Sequence, residues 1–84
     1  MDKHITMWVK WHCPFCAQAK DMLYDQKVSH TIHIMDDRLK ELDEIKEKWD
    51  FSTVPIIVVQ DDKNDILIGG YTDLVKWFDE DSDD

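Results

Sequence analysis

The only two cysteines of the chain, Cys13 and Cys16, lie three positions apart, and this pair constrains the fold more than any other feature. A cross-link over so short a loop would remove little conformational entropy from the unfolded chain, on the order of 2 kcal/mol. The pair therefore suits chemistry better than structural cross-linking. Pro14 follows the first cysteine directly, and proline is favoured in the first turn of a helix because its missing N–H costs nothing there.

A helix that begins at Pro14 would place Cys13 at its N-terminus. The free N–H groups and the positive end of the helix dipole would then stabilise a thiolate, which is the form that attacks disulfides. Cys16 lies within the first helical turn and shares an apolar stripe with Ala19 and Leu23. We therefore expect Cys13 to be the nucleophile, and Cys16 to be a less exposed and less acidic resolving thiol in a dithiol–disulfide exchanger.

Apolar periodicity along the first half of the chain predicts four elements. Alternation predicts strands over residues 5–9 and residues 30–35, and helix-forming residues predict a helix over residues 14–27 between them. A second helix is expected where apolar side chains recur at steps of three and four, at Leu39, Leu42, Ile45 and Trp49. Asp36 and Asp37 precede this helix and are natural N-caps for it.

The second half predicts a hairpin and a last helix. The β-branched run over residues 56–59 is typical of a central strand with both faces covered. After a polar turn, residues 65–68 predict a fourth strand, which two glycines end. Thr72 is expected to cap a final helix that runs through Phe78.

Length and composition indicate one domain, over residues 1–78, followed by an acidic tail over residues 79–84 that we expect to be frayed. Because there is no long apolar run or signal-peptide pattern, and the two cysteines suit a reducing compartment, we expect a cytoplasmic protein. We also expect it to be a monomer. The formal net charge of -9 argues against nucleic acid or an anionic membrane as a partner.

The predicted order is strand, helix, strand, helix, strand, strand, helix. The first strand–helix–strand unit should be a right-handed parallel crossover, and the hairpin adds antiparallel strands. An α/β fold follows, with a four-stranded mixed sheet and three flanking helices that cover both faces. A Cys-x-x-Cys motif beside such a unit is the thioredoxin-like redox signature.

Across nearly its full length the chain resembles the glutaredoxins. Three separated motifs carry the resemblance: Lys10 three residues before Cys-Pro-Phe-Cys at residues 13–16, then Thr-Val-Pro at residues 53–55, then Gly-Gly-Tyr-Thr-Asp at residues 69–73. The resemblance implies the glutaredoxin version of the thioredoxin fold. It also implies a glutathione-dependent disulfide oxidoreductase with glutathione as co-substrate and no tightly bound cofactor.

The resemblance further implies which residues contact glutathione. These are Lys10, Phe15, Thr53, Val54, Pro55, Gly70, Tyr71, Thr72 and Asp73. The Val54–Pro55 bond should be cis, with the Val54 backbone pairing with the bound peptide. Thr72 and Asp73 should hold the γ-glutamyl carboxylate and amine, while Lys10 should lie near the thiolate and the glycyl carboxylate.

A metal-binding module is the alternative from a different functional class. The spacing from Cys13 and Cys16 to His30 and His33 is close to a zinc pattern. However, the two histidines are only three positions apart, and such residues on a strand point to opposite faces. An iron–sulfur cluster bridged between two subunits, as in some glutaredoxin relatives, is disfavoured by the proline-containing dithiol motif.

Within the enzyme class, the alternative is a redoxin of the same fold that thioredoxin reductase reduces and that donates electrons to ribonucleotide reductase. Phe51 and Ser52 stand where many glutaredoxins carry a basic or amide residue. That position commonly helps to hold the glycyl carboxylate of glutathione, and Lys48 lies one helical turn earlier. This departure keeps the alternative open.

Overall fold

The computed structural model describes residues 3–61 and 64–81. Its elements follow the predicted order and are β1 (Lys3–Val9), α1 (Pro14–Asp25), β2 (His30–Ile34), α2 (Leu39–Trp49), β3 (Ile56–Asp61), β4 (Asn64–Gly69) and α3 (Tyr71–Asp81). Within this described part of the chain, no helix has the length and apolar character needed to cross a membrane.

The four strands form one mixed sheet in the order β2-β1-β3-β4. Strand β1 runs parallel to β2, with Met7 opposite Ile32, and antiparallel to β3, with Met7 opposite Ile57. Strands β3 and β4 form the antiparallel hairpin. The predicted α/β fold with a mixed sheet is therefore confirmed.

The larger core cluster lies between one face of the sheet and helices α1 and α3. Its buried members are Ile5, Met7, Val9, Cys16, Ala19, Leu23, Ile57, Val59 and Leu74. The predicted α1 stripe of Cys16, Ala19 and Leu23 is thus the face that packs on the sheet. Because burial of apolar area drives this packing, the stripe fixes the rotation of α1 about its axis.

Helix α2 covers the opposite face of the sheet through a smaller cluster. Met35, Leu42 and Ile56 form its buried centre, and the half-buried Trp8 and Ile45 pack against it. Strand β3 is therefore covered on both sides, and all four residues of its predicted β-branched run are buried. Leu39, predicted on the same α2 stripe as Leu42, is instead 52% exposed.

The prediction that Asp36 and Asp37 cap α2 is wrong. The helix begins at Leu39 after Arg38, which makes no side-chain capping hydrogen bond. The Asp36 carboxylate instead accepts a hydrogen bond of 2.8 Å from the backbone N–H of Trp11. Strands β1 and β2 are parallel, so the loops that follow them leave the same edge of the sheet. Asp36 therefore lies close enough to Trp11 to bond with its N–H and not with the start of α2.

The prediction that Thr72 caps α3 is also wrong. The helix begins at Tyr71, and the side chain that satisfies the backbone at its start is Asp73, which accepts from the N–H of Gly70 at 2.9 Å. An acidic side chain that reaches back in this way is half of a capping box. The helix continues to Asp81, beyond the predicted end at Phe78, and residues 82–84 of the predicted tail lie outside the described residues.

Two leucines of α2 provide a matched test of this packing. We expect Leu42→Ala, at a position only 2% exposed, to lower the free energy of unfolding by about 2–5 kcal/mol. Leu39→Ala makes the same chemical change at a half-exposed position and should cost less than about 1 kcal/mol. Urea unfolding followed by circular dichroism measures both changes, and equal losses would contradict the described orientation of α2.

Candidate active site

Cys13 is the N-cap residue of α1, as predicted. Its backbone is extended, with φ -117° and ψ 104°, and Pro14 is the first helical residue. The backbone N–H of Cys16 donates to the Cys13 Sγ at 3.3 Å. A hydrogen-bond donor and the positive end of the helix dipole thus face this sulfur, and both favour negative charge on it.

The two thiols differ in exposure. Both cysteines are free; Cys13 is half-buried, whereas Cys16 is only 3% exposed. Burial raises the pKa of the Cys16 thiol to about 12, and its hydrogen bond with Cys13 and the charges of Cys13 and Asp36 add to this rise. A backbone hydrogen bond with Lys10 acts in the opposite direction. The expectation that Cys16 is the less exposed of the two thiols is therefore confirmed, and its burial makes it a weak acid.

The loop between β1 and α1 is held directly before the cysteine motif. The Asp36 carboxylate fixes the backbone of Trp11, and His12 adopts a left-handed conformation with φ 56°. This turn brings the chain from the end of β1 into α1 at Cys13. Asp36 was missed as a site residue by sequence reasoning, although its place just after β2, the parallel neighbour of β1, could have indicated it.

A groove of about 460 Å³ lies beside the cysteine motif. It brings together every predicted glutathione contact except Lys10, and adds Phe51; the lining residues are Phe15, Phe51, Thr53, Val54, Pro55, Gly70, Tyr71, Thr72 and Asp73. The Val54–Pro55 peptide bond is cis, as the resemblance implied. The Phe15 and Tyr71 rings stack with centroids 6.1 Å apart, which gives the groove an aromatic wall.

The acidic end of the groove depends on a glycine. Gly69 is buried with φ +124°, and a Cβ at this position would overlap the Asp73 carboxylate. Only glycine therefore allows Asp73 to reach back to the Gly70 N–H. Among the groove-lining residues that the structure describes, Asp73 carries the one charged side chain.

Lys10 does not line this groove but a second cavity of about 530 Å³, which both cysteines also line. The two linings meet at Pro14 and Phe15, which are adjacent in the chain. The same cavity is lined by Lys20, which sequence reasoning missed. The sequence could have indicated Lys20, because it follows Cys16 by four residues and therefore lies on the same side of the helix.

The two histidines of the zinc alternative have other contacts. The ring of His30 bonds through Nδ1 with the carbonyl of Val28 at 2.8 Å, and the ring of His33 stacks on Trp8 with centroids 5.7 Å apart. Within residues 3–61 and 64–81, no group of three or more histidine, cysteine, aspartate or glutamate side chains is placed to hold a metal ion.

Comparison with known proteins supports the redox interpretation of this geometry. The family model for glutaredoxin matches residues 5–63. Glutaredoxin 1 from Francisella tularensis, crystallised in complex with cacodylate, has a TM-score of 0.76 at 27% identity and covers 98% of this chain and 99% of its own. A dithiolic glutaredoxin from Trypanosoma brucei brucei has a TM-score of 0.70 at 25% identity, over 93% of this chain and 78% of its own.

A more distant structure shares the fold alone. The maleylacetoacetate isomerase from Anaeromyxobacter dehalogenans, solved with glutathione bound in its active site, has a TM-score of 0.71 at 14% identity. The match covers 95% of this chain and 38% of the isomerase. Among proteins of curated function, none matches this chain significantly.

The asymmetry of the thiols can be measured by alkylation. In the reduced, folded protein at about pH 8, we expect iodoacetamide to modify Cys13 well before Cys16, because the thiolate is the reactive form and the second thiol is buried. With a pKa of about 12, the Cys16 thiolate fraction, and hence its rate, should rise about tenfold per pH unit. Fragment mass spectra locate each modification.

The unfolded protein is the control for this experiment. In guanidinium chloride both thiols are exposed, so their modification rates should become similar. Equal rates in the folded protein, or faster modification of Cys16, would overturn the assignment of the two thiols.

Proposed function

Because this chain belongs to the glutaredoxin family, we propose that it is a glutathione-dependent thiol–disulfide oxidoreductase. Its substrates are protein disulfides and mixed disulfides between proteins and glutathione. Thiol–disulfide exchange is supported by the family and by the cysteine pair, in which Cys13 lies accessible at a helix N-terminus and Cys16 lies buried one turn away. That asymmetric pair is the observation that carries the proposal.

The dithiol reaction proceeds in two exchanges. The Cys13 thiolate attacks one sulfur of the substrate disulfide, a Cys13–substrate disulfide forms, and the other substrate sulfur leaves as a thiolate. Cys16 then loses its proton and attacks the Cys13 Sγ. The substrate leaves as its second thiolate. The substrate has then been reduced by two electrons, and the protein has been oxidised by two electrons to the Cys13–Cys16 disulfide.

Glutathione restores the dithiol. One glutathione thiolate opens the Cys13–Cys16 disulfide and forms a mixed disulfide with Cys13, and a second glutathione attacks the glutathione sulfur of that mixed disulfide. The products are the reduced protein and glutathione disulfide. A glutathionylated substrate enters this cycle at the mixed disulfide, so it requires Cys13 but not Cys16.

The groove supplies groups that suit the γ-glutamyl end of glutathione. Backbone N–H groups at the start of α3 suit a carboxylate, and Asp73 suits the ammonium group beside it. The Val54 backbone lies along the same groove and suits pairing with the peptide. A glutathione-bound isomerase of the same fold supports this use of the architecture.

We propose the remaining functional assignments together with this chemistry. The protein works without a tightly bound cofactor, because cysteine and glutathione sulfurs carry all the electrons. Its recycling requires a reducing compartment, for which we propose the cytoplasm. It acts there as a monomer in electron transport and redox homeostasis, with ribonucleotide reductase among its candidate protein substrates.

One observation favours a second candidate function. The groove lining includes Phe51 but no basic side chain among the described residues, and Lys10 lines the other cavity. Within the groove itself, no cation is available to the glycyl carboxylate of glutathione. The second candidate is a redoxin that thioredoxin reductase reduces and that supplies electrons to ribonucleotide reductase. Such a protein does not bind glutathione and requires no cation in the groove.

The choice of reductant tests the proposed function. We expect rapid reduction of a small mixed disulfide with glutathione, glutathione reductase and NADPH, and little turnover when thioredoxin reductase replaces glutathione and its reductase. Cys13→Ser should abolish turnover, whereas Cys16→Ser should retain reduction of the glutathione mixed disulfide and lose reduction of a protein disulfide. NADPH consumption measures every case.

Two results would contradict the proposed function. Turnover with thioredoxin reductase alone would replace the glutathione function by the second candidate and keep Cys13 as nucleophile. Full turnover by Cys13→Ser would overturn the mechanism itself.

Asp73 provides a test of the groove. Asp73→Asn keeps an oxygen acceptor for the Gly70 N–H but removes the charge, so we expect the KM for glutathione to rise about fivefold or more. The lost interaction with the helix dipole should lower stability by only about 0.3–1 kcal/mol. Glu80→Gln makes the same charge change at an exposed position late in α3 and should leave the KM unchanged. Equal effects of the two variants would remove Asp73 from the glutathione site.

A further inference from the structure

The second cavity beside Cys13 has a local charge opposite to that of the chain. The protein carries 19 acidic and 10 basic residues, for a net charge of -9. Yet the 530 Å³ cavity is lined by Lys10 and Lys20, and the lining includes no carboxylate of the described residues. The accessible nucleophile thus lies at a basic site on an acidic protein.

Both lysines are available to a ligand. Each is half-buried, and neither forms an ion pair with a carboxylate of the described residues. The Asp36 carboxylate belongs to the same region, but it is bonded to the Trp11 N–H and does not line the cavity. Partly buried charges without a partner interact more strongly with an incoming opposite charge than exposed charges do.

The rim of this cavity is apolar. Trp11 is 58% exposed and Ile34 is 39% exposed, and both line the cavity. Large apolar side chains exposed next to polar groups are typical of protein interaction sites. An occupant that covers them gains burial of apolar surface in addition to its charge contacts.

The cavity is also preformed. Cys13, Cys16 and Lys20 lie on or at the start of helix α1, whereas Lys10 and Trp11 lie on the loop that Asp36 fixes. A site built on held elements loses little conformational freedom when it binds, which favours recognition of a defined segment.

We propose that this cavity is the docking subsite for the protein substrate. It recognises a segment that carries an aspartate or glutamate for Lys10 and Lys20, and an apolar side chain for Trp11 and Ile34, next to the cysteine under attack. This assignment rests on the proposed thiol–disulfide exchange and names its substrate class. A second glutathione would offer carboxylates but no large apolar side chain to cover the rim.

The docked segment reacts by the exchange already described. The Cys13 thiolate forms a disulfide with the substrate cysteine while the sulfur formerly bonded to that cysteine departs as a thiolate. The flanking residues of the substrate occupy the cavity during this step. Cys16 then attacks the Cys13 Sγ and releases the substrate thiolate.

The test uses the pre-reduced protein and two short peptides in a single turnover. Each peptide contains one cysteine as a mixed disulfide with the neutral 2-thiopyridyl group, next to a phenylalanine. One peptide has two glutamates beside the cysteine, and the other has two lysines. Release of 2-thiopyridone gives the second-order rate constant, and the reaction with free cysteine corrects for the intrinsic reactivity of each peptide.

Whether the acidic or the basic peptide reacts faster distinguishes local docking from long-range attraction. A net negative chain attracts the basic peptide at long range, and this attraction is screened beyond about 8 Å at 0.15 M salt. Local docking instead predicts that the acidic peptide reacts about fivefold to tenfold faster after correction. We expect this ratio to persist at that ionic strength.

Lysine variants assign the preference to the cavity. Lys20→Glu should bring the ratio of acidic to basic peptide to one or below. Lys27→Glu makes the same change at an exposed position beyond the other end of α1 and should keep the wild-type ratio. Lys20→Gln, which removes the charge without reversing it, should give an intermediate ratio.

Several results would overturn the docking subsite. These are a wild-type ratio near one, a ratio that Lys20→Glu does not change, or equal losses in the Lys20→Glu and Lys27→Glu proteins. An unchanged ratio together with a raised KM for glutathione in Lys20→Glu would assign the cavity to a second glutathione instead. Because the peptide assay contains no glutathione, its outcome is separate from that of the reductant test.

Discussion

The start of helix α1 at Cys13 is the constraint on which the active site depends. Pro14 fixes the first helical position, and the buried stripe of Cys16, Ala19 and Leu23 fixes the rotation of the helix on the sheet. Cys13 is left at the end of the helix, where backbone dipoles favour a thiolate, and Cys16 is left in the core, where burial opposes one. The different environments of two chemically identical thiols are therefore a consequence of how one helix packs.

Two carboxylates hold the backbone directly before helices α1 and α3. Asp36 holds the loop before Cys13 through the Trp11 N–H, and Asp73 holds the start of α3 through the Gly70 N–H. Each accepts a hydrogen bond from a backbone N–H at the turn where it lies. The Asp73 contact further requires glycine at position 69, because any side chain there would overlap the carboxylate.

The cysteine motif lies between two recesses of different chemistry. The groove on one side is aromatic and carries one acidic side chain, while the cavity on the other side is basic with an apolar rim. The net charge of the chain predicts neither recess, since a chain with a formal charge of -9 has two lysines beside Cys13. The proposed division between glutathione in the groove and a protein substrate in the cavity follows from this contrast.

The element order, the buried α1 stripe, the central strand and the cysteine pair at a helix N-terminus could all be predicted from the sequence, because they depend on residues close together in the chain. The mixed sheet follows from that order and from the rules for connecting strands. Three features became visible only in the folded protein: Asp36 bonds to Trp11 and does not cap α2, Asp73 and not Thr72 caps α3, and Lys10 lines the second cavity and not the groove. In each case several partners were within reach along the chain, and the choice was made by distances between segments that the sheet brings together.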